Sequence, residues 1–571
     1  MTDYLIVAAI DFGTTYSGFA FSTRNDFQRD PTNVYGRNWT ASNLRSNKTA
    51  TSILFNPEGE FEEFGFAAED LYLDLAAEKQ ESDWYFFHRF KMQLFDKMTL
   101  KSDFLLESEN GKTLPALKVF SCAIKYLKDE LLKDCTLQQT GVSIDDIRWV
   151  LTVPAIWTDT AKSFMRQAAK MAGIENDKLV IALEPEAAAL FVKHLPIHKK
   201  TFGELGDSFE AFSAGSSYIV CDAGGGTVDV TVHEVLEDDK SVREINRPTG
   251  GNWGGTNVDD AFITILERIA GDKVMKAFQN QQKYDFMELL REFEVKKREI
   301  NYTMKKKVTF KVPTSFKDAF EAENPGKSLS DITSEIDEFK DKIKWISDKM
   351  QFYPDLVTSL FDESINNICG HLSNIFSSNK VKDVNYILLI GGYAESPLLQ
   401  NEMKRRFPSK RLIVPQEAGL SVLKGAVIFG HNPLLIRERI AKFTYGIQFR
   451  RPFIEGVDPE DSKTFVDGEP YCNNVFDIHI EADESMIVGE IQSEKKYGSN
   501  SKSTGLYVYA SRENSPNYIT DKGCFLLGKT SLDTNKEDDL EVQMSFSGTE
   551  IEAKISCKNT GHSRVVYINN S

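Results

Sequence analysis

Two short turns in the chain carry the same set of groups. Asp11-Phe12-Gly13-Thr14-Thr15 follows the apolar run Leu5 to Ile10, and Asp222-Ala223-Gly224-Gly225-Gly226-Thr227 follows Tyr218 to Cys221. Each apolar run reads as a buried strand. Each turn then offers a carboxylate, glycines that let the main chain come close to a ligand, and terminal hydroxyls. Holding a phosphate chain and its Mg²⁺ needs those groups: inward N–H donors, short OH donors, and an acid for the metal's water shell. One such turn alone is equally a tight hairpin. Two of them predict related lobes that face each other across a nucleotide. Three glycines in a core turn, 224 to 226, give up too much chain order to stand there without a ligand.

The elements that must position these turns follow from periodicity. Val150 to Val153 is a strand stopped by Pro154, and Thr158 is the N-cap of a helix with apolar positions 161, 164, 165, 168 and 172, closed by Gly173. Val180 to Leu183 is a strand that ends in Glu184-Pro185 and an Ala-rich helix, and Tyr386 to Ile390 ends in Gly391-Gly392. Strand, functional turn, helix, repeated, predicts an α/β fold that binds ligands at strand C-terminal ends. Residues 196–217 read as a surface loop joining the lobes. Asp285 to Ile300 and Pro354 to Ser377 read as helices, and Lys317 to Gln351 as an exposed insertion or helical excursion. From about Phe443 the pattern turns to period two. Leu540, Val542, Met544 and Phe546 alternate outward to a turn at 547–549, and Ile551, Ala553, Ile555 and Cys557 alternate back, which is a β-hairpin with one buried face. The expected organisation is therefore an α/β unit over 1–432, with lobes at about 1–205 and 206–432, a linker at 433–442, and an all-β domain at 443–571.

Composition narrows the function. At 571 residues the chain holds roughly three or four domain-sized units. A net charge of −17 repels polyphosphate backbones and argues against a nucleic-acid partner. The seven cysteines (122, 135, 221, 369, 472, 524, 557) form no C-x-x-C and read as free thiols rather than a metal or disulfide framework. The N-terminus lacks a basic n-region, and no run approaches the ~18 apolar residues of a membrane span. A monomer in the cytoplasm, with the nucleus also open to it, is the expectation.

Asp11 to Ser17, Thr152-Val153-Pro154-Ala155, Leu183 to Ala189, Asp222 to Val230 and Ile390-Gly391-Gly392 occur in that order. Together they resemble the nucleotide-binding domain of the 70-kDa heat-shock protein family, within the actin, sugar-kinase and heat-shock ATPase superfamily. Phe525 to Lys529 and the 540–557 hairpin resemble that family's β substrate-binding domain. Ala418 to Ala426 and Asn432-Pro433 are most similar to its divergent subfamily 12. The resemblance implies a two-lobed actin-like ATPase domain (a duplicated ribonuclease-H-like fold) followed by an all-β sandwich.

It also implies site roles, with ATP or ADP and Mg²⁺ as cofactors. Asp11, Asp222 and Asp229 would orient Mg²⁺ mostly through water. Gly13, Thr14, Thr15, Gly224, Gly225 and Gly226 would cradle the β- and γ-phosphates, with Tyr16 beside them and Thr227 near the γ-phosphate. Lys91 would position the attacking water, and Glu184 would sit at the catalytic centre. Glu294, Lys297 and Arg298 share one helix face by their spacing and match the family's adenosine-binding helix, opposite Gly255, Gly391 and Gly392. Catalysis by such a set is mostly positioning and electrostatics. Plainer readings exist: Lys91 as a helix-surface lysine, Glu184 as a helix cap, and 294, 297 and 298 as a solvated face. The implied activity is slow ATP hydrolysis by a chaperone or switch whose nucleotide state controls a β domain that binds a protein or peptide, with co-chaperones or exchange factors as further partners. A nucleotide-sensing scaffold with negligible turnover is the alternative, and a sugar or glycerol kinase is disfavoured by the added β domain.

Three departures from the family stand out. Glu395 lies where a cation would touch the adenine, Gln416 replaces an acid near the ribose, and Asn301 replaces a serine. The sequence ends at Ser571, directly after the β domain, so the family's helical lid and acidic tail are not expected, and neither is long peptide trapping. Two motifs are decoys. Gly523 to Thr530 fits the P-loop letters, but its bulky apolar interior reads as a strand. His194 and His198 are split by Pro196 and cannot align on one helix.

Overall fold

Every residue of β1, Ile6–Phe12, is buried, Asp11 included, and a strand covered on both faces must sit inside a sheet with layers on either side. The computed structural model describes residues 4–41, 44–95, 97, 103–134, 143–195, 212–238, 241–499, 502–547 and 549–567. In its first sheet β1 pairs antiparallel with β2 (Tyr16–Thr23), which pairs with β3 (Tyr35–Gly36). On its other side β1 pairs in parallel with β4 (Ile147–Val153), and β4 with β5 (Leu179–Leu183). The second sheet repeats the scheme. There β6 (Ser217–Ala223), β7 (Val228–Val235) and β8 (Val242–Gly251) form an antiparallel meander, and β9 (Tyr386–Ile390) and β10 (Arg411–Ile413) add in parallel beside β6. Identical order and direction in both sheets make the duplication plain.

Alternation along the strands sets the layers. Ile6, Ala8, Ile10 and Phe12 point to an outer core with α1 (Ala116–Leu132) and α2 (Asp159–Met171), whereas Val7 and Ala9 face a central core shared with the second sheet. Thr158 caps α2 by accepting from the Ala161 N–H at 3.2 Å, and Gly173 ends it at φ +83°, as expected from the sequence. The central core is filled by α3 (Glu184–His194) and a matching helix near the end of lobe II. The outer face of the second sheet carries α4 (Thr256–Ala270), and α5 (Lys283–Lys297) packs outside α4 through the stacked Phe262 and Phe293 rings. The matching helix, α6 (Ser421–His431), crosses α3 so closely that a Cβ on Gly425 would overlap the Ala187 carbonyl, and one on Gly430 would meet Val7 and Val150.

The segment read as an exposed excursion at 317–351 is instead built into lobe II. Helices at Thr314–Glu323 and Leu329–Glu335 and a three-stranded sheet of 308–311, 343–346 and 349–352 pack Phe316, Phe320, Phe339, Met350 and Phe352 into the main core. Its charged residues are the outer face of a half-buried layer, and the aromatics between them were the missed signal. The interlobe loop, with His198, lies mostly outside the described residues.

The C-terminal domain is a β-sandwich. One sheet runs in the order 463–466, 469–480, 444–452, 503–511, 524–533, and the other in the order 491–498, 539–547, 550–557, 563–567. The expected hairpin pairs Leu540 with Cys557, Val542 with Ile555, Met544 with Ala553 and Phe546 with Ile551, all facing the inter-sheet core. The P-loop-like stretch is the strand Cys524–Asp533. Residues expected to form a linker are a strand too: β11 (Ile436–Ile440) extends the second sheet in parallel beside β8, and β12 (Ser485–Ile487) adds antiparallel to β11. No described helix is long and apolar enough to cross a membrane.

The α3–α6 crossing gives a test of the core. Gly425→Ala is expected to lower stability by about 1–3 kcal/mol, because backbone rather than a flexible side chain must move. Gly370→Ala, in an exposed helical position with no atom within 4 Å of the new Cβ, is expected to raise it by up to about 1 kcal/mol. Urea midpoints of the two variants check both signs.

Candidate functional site

Both turns sit at the last rungs of their hairpins. Asp11 lies opposite Gly18 and Asp222 opposite Asp229, so the strands that make the two sheets also bring three carboxylates to the seam between lobes. Asp11 accepts from Thr152 Oγ1 at 2.8 Å and pairs with Lys48 Nζ at 2.6 Å; Lys48 also donates to the Gly419 carbonyl at 2.8 Å. Burial works to raise the Asp11 pKa, but Lys48, with help from Lys91, holds it below the ordinary value. Asp229 Oδ1 accepts the Ile156 N–H at 2.8 Å. Burial pushes Asp222 and Asp229 up, and for Asp222 the neighbouring Glu184, Asp229 and Asp11 push further.

Lys91 is buried, in the 3₁₀ turn Phe90–Leu94, with its Nζ 2.7 Å from Glu184 Oε1 and 5.1 Å above the Trp157 ring. It is no helix-surface lysine. Glu184 opens α3 and faces the same cluster; burial, offset by Lys91 and reinforced by Asp11 and Asp229, pushes it up to about 7. Four carboxylates and two ammonium groups, Lys48 and Lys91, thus share a desolvated seam.

The glycines shape the space around them. A Cβ on Gly225 would collide with Thr15, and one on Gly226 would lie 2.5 Å from Met92 Sδ and 2.8 Å from Thr14. The two turns therefore touch across the seam, as their sequence likeness predicts. The carbonyls of Gly226, Gly224 and Gly225 accept from the N–H groups of Gly254 (3.1 Å), Gly255 (3.1 Å) and Thr256 (2.8 Å) at the start of α4. This fixes the second turn against the start of α4, with the α-carbons of Gly225 and Gly226 facing Thr15 and Thr14. Thr227 is buried and hydrogen-bonds Asp229. Gly13 packs on the Tyr16 carbonyl, and Gly391, at φ +91°, packs on Asp222 Oδ1, where a side chain would strike the carboxylate. Gly392 borders open space.

The adenosine candidates form one network. Glu294 pairs with Lys297 at 2.5 Å and with Arg298 at 2.7 Å, and Lys297 reaches Asp259 Oδ1 at 2.5 Å and the Gly255 carbonyl at 3.3 Å. Arg298 donates to the Tyr16 hydroxyl at 3.1 Å and lies over its ring. Against burial, Lys297 and Arg298 hold Glu294 below the usual carboxylate range. Glu294 and Lys297 are largely covered, and a solvated helix face describes only Arg298. Tyr16 and Arg89, which pairs with Asp259 at 2.8 Å, bring lobe I into the network. Glu395 accepts the Gly419 N–H at 3.2 Å, beside Gly392.

Sequence reasoning missed Lys48, Arg89 and Thr152. Thr152 lay within a quoted motif, but its hydroxyl was given no partner. Lys48 and Arg89 were given no role, although Arg89 lies two residues before Lys91.

This set fits a nucleotide with a divalent cation. The cradle tolerates no Cβ at 225 or 226, and the crowded carboxylates call for a positive charge. Two duplicated sheets with a phosphate cradle and acids at the seam define an actin-like, two-lobed nucleotide-binding ATPase fold carrying an added β domain. A family profile described as Hsp70 protein matches residues 97–432. Heat shock 70 kDa protein 12A of Homo sapiens and of Mus musculus are each 33% identical over 612 residues, covering 96% of this chain and 89% of theirs. Heat shock 70 kDa protein 12B of Homo sapiens is 32% identical over 618 residues, covering 96% of this chain and 88% of its own. The chain belongs to the Hsp70 family, in its subfamily-12-like branch.

The carboxylates set a pH dependence. Asp222, Asp229 and Glu184 have folded pKa values above their unfolded ones, so the folded state keeps protons that the unfolded chain has already released. These acids oppose folding more as pH rises from about 4 to 7, while His88, His233, His431 and His479, whose pKa values burial pushes down, favour it. Without nucleotide and divalent cations, the Tm of Asp222→Asn minus that of wild type is therefore expected to grow over the window. Asp11, shifted the other way, acts only below this window. Calorimetric scans of both proteins at several pH values check the difference; one that stays constant or shrinks over the window contradicts it.

Proposed function

We propose that this protein is an ATP-binding, Mg²⁺-dependent switch that hydrolyses ATP slowly and whose nucleotide state sets the seating of its C-terminal β domain. One observation carries the reading. The first turn of α3 presents Glu184 to Lys91 at the carboxylate seam and, two residues on, Glu186 to Arg439 of β11. The Arg439 Nε–Glu186 Oε1 bond is 2.9 Å, and both side chains are buried. A second route runs in parallel: Asp229 accepts the Ile156 N–H while the Ile156 carbonyl accepts from Lys442. A shift at the phosphates that moves either acid thus moves the strand leading to the β domain.

The residues suit that chemistry. Lys91, fixed by Glu184, brings a desolvated positive charge to an attacking water and to the charge that develops on the transferred phosphoryl group. Thr14, Thr15, Thr227 and the Gly224–Gly226 turn bind the phosphates, and Asp11, Asp222 and Asp229 orient the water shell of Mg²⁺. When bound, Mg²⁺ neutralises phosphate charge. Tyr16, Gly255, Glu294, Lys297, Arg298, Gly391 and Gly392 surround the nucleoside.

The contacts between lobe I and the β domain suit repeated making and breaking, since they are mainly polar. Tyr445 donates to Asp159 at 2.9 Å, Thr549 to the Ile181 carbonyl at 3.1 Å, and Arg166 pairs with Glu550. The ligand proposed for the β domain is a protein segment, with exposed Val457 (64%) and Phe465 (70%) offering apolar contact. The second reading, a nucleotide-sensing scaffold with negligible turnover, is favoured by the tightness of the Lys91–Glu184 pair, which leaves the ammonium little freedom.

Single-turnover phosphate release separates them. The switch reading expects wild type to exceed Lys91→Ala and Asp222→Ala by about 100-fold or more. Equal rates in all three, with ATP still bound, establish the scaffold.

A further inference from the structure

A second cluster of metal-ligand type lies where β11 docks, and none of the roles above uses it as such. Glu186 comes from the first turn of α3, His233 from β7 and Glu244 from β8, with exposures of 1%, 1% and 3%. One ligand atom of each lies within 4.8 Å of the other two. Neither ring nitrogen of His233 has a hydrogen-bond partner, and neither has Glu244 Oε1. A buried imidazole with both nitrogens idle, beside a buried carboxylate oxygen that accepts nothing, is what a polar core avoids unless a further group completes it.

We propose that Glu186, His233 and Glu244 bind a divalent transition cation of the Zn²⁺ type. An imidazole nitrogen with two carboxylates is a donor set for Zn²⁺ and its neighbours rather than for Mg²⁺ or Ca²⁺, which take all-oxygen shells. Three protein ligands leave a fourth tetrahedral position for water. A cavity of about 30 Å³ lined in part by Glu244, Lys162 and Arg439 lies alongside and has room for one.

The surroundings orient each ligand as an outer shell does. Both Glu186 oxygens accept from Arg439, and each keeps a second lone pair for a metal. The Ile440 N–H donates to Glu244 Oε2 at 2.9 Å, which leaves Oε1 for the cation. The His233 ring stands T-shaped to Tyr218 at 5.6 Å. A cation here binds lobe I to lobe II through the same two carboxylates that hold β11, so it favours the docked strand.

The test uses the full chain, demetallated and kept in excess Mg²⁺ so that the oxygen-only seam is occupied. Titration with Zn²⁺ against a chromophoric chelator is expected to show one equivalent bound and a higher Tm, and Co²⁺ is expected to give visible absorption bands typical of a four-coordinate site. His233→Leu is expected to weaken Zn²⁺ binding by more than about 100-fold while a fluorescent ATP analogue still binds. Glu244→Gln, which keeps an acceptor for Ile440, gives the same comparison if His233→Leu does not fold. Wild type that takes up no Zn²⁺, or variants that bind it as tightly as wild type, overturns the proposal and leaves the cluster to a shared proton or a water.

Discussion

The arrangement depends on electrostatic crowding at one seam. Duplicated hairpins end in aspartates, and stacking the two sheets around α3 and α6 forces Asp11, Asp222, Asp229 and Glu184 into one desolvated volume. Unrelieved, that crowding works against the fold. Lys91 and Lys48 relieve part of it from lobe I, and the remainder is what gives the seam its appetite for cations. The geometry that makes the lobes meet and the chemistry that lets them grip a phosphate chain are the same constraint.

Much of this was legible in the sequence because the informative residues are contiguous. Each phosphate turn is a single run, Glu184 adjoins its proline, and Glu294, Lys297 and Arg298 share a helical turn. The strand-turn-helix grammar gave the α/β class, and strict alternation over 540–557 gave the β hairpin and its buried face. What escaped were contacts made by residues far apart in the chain. Lys48 reaches Asp11 and Gly419, and Arg89 reaches Asp259, through sheet closure that no local pattern encodes.

Two organisational readings changed for a physical reason. Charge density at 317–351 suggested an excursion, yet Phe320, four residues after Phe316 on one helix, and Phe339 are buried in the main core. Apolar residues mixed with charges at 433–442 suggested a tether. In the fold they form a strand without the usual alternation: Ile436 is buried on one face, while on the other Arg437 is exposed and Arg439 is buried in an ion pair with Glu186. A buried arginine in a connecting segment is costly unless its partner is waiting, and that partner sits on the helix that begins at the phosphate seam.

The place of β11 in the second sheet has one further consequence. On one side β8 is paired with β7, and on the other only β11 covers it. Whenever β11 leaves, β8 becomes an open border with main-chain donors and acceptors facing outward, a template for strands of other molecules. A form with β11 released would therefore be the adhesive one, and the docked strand covers that border.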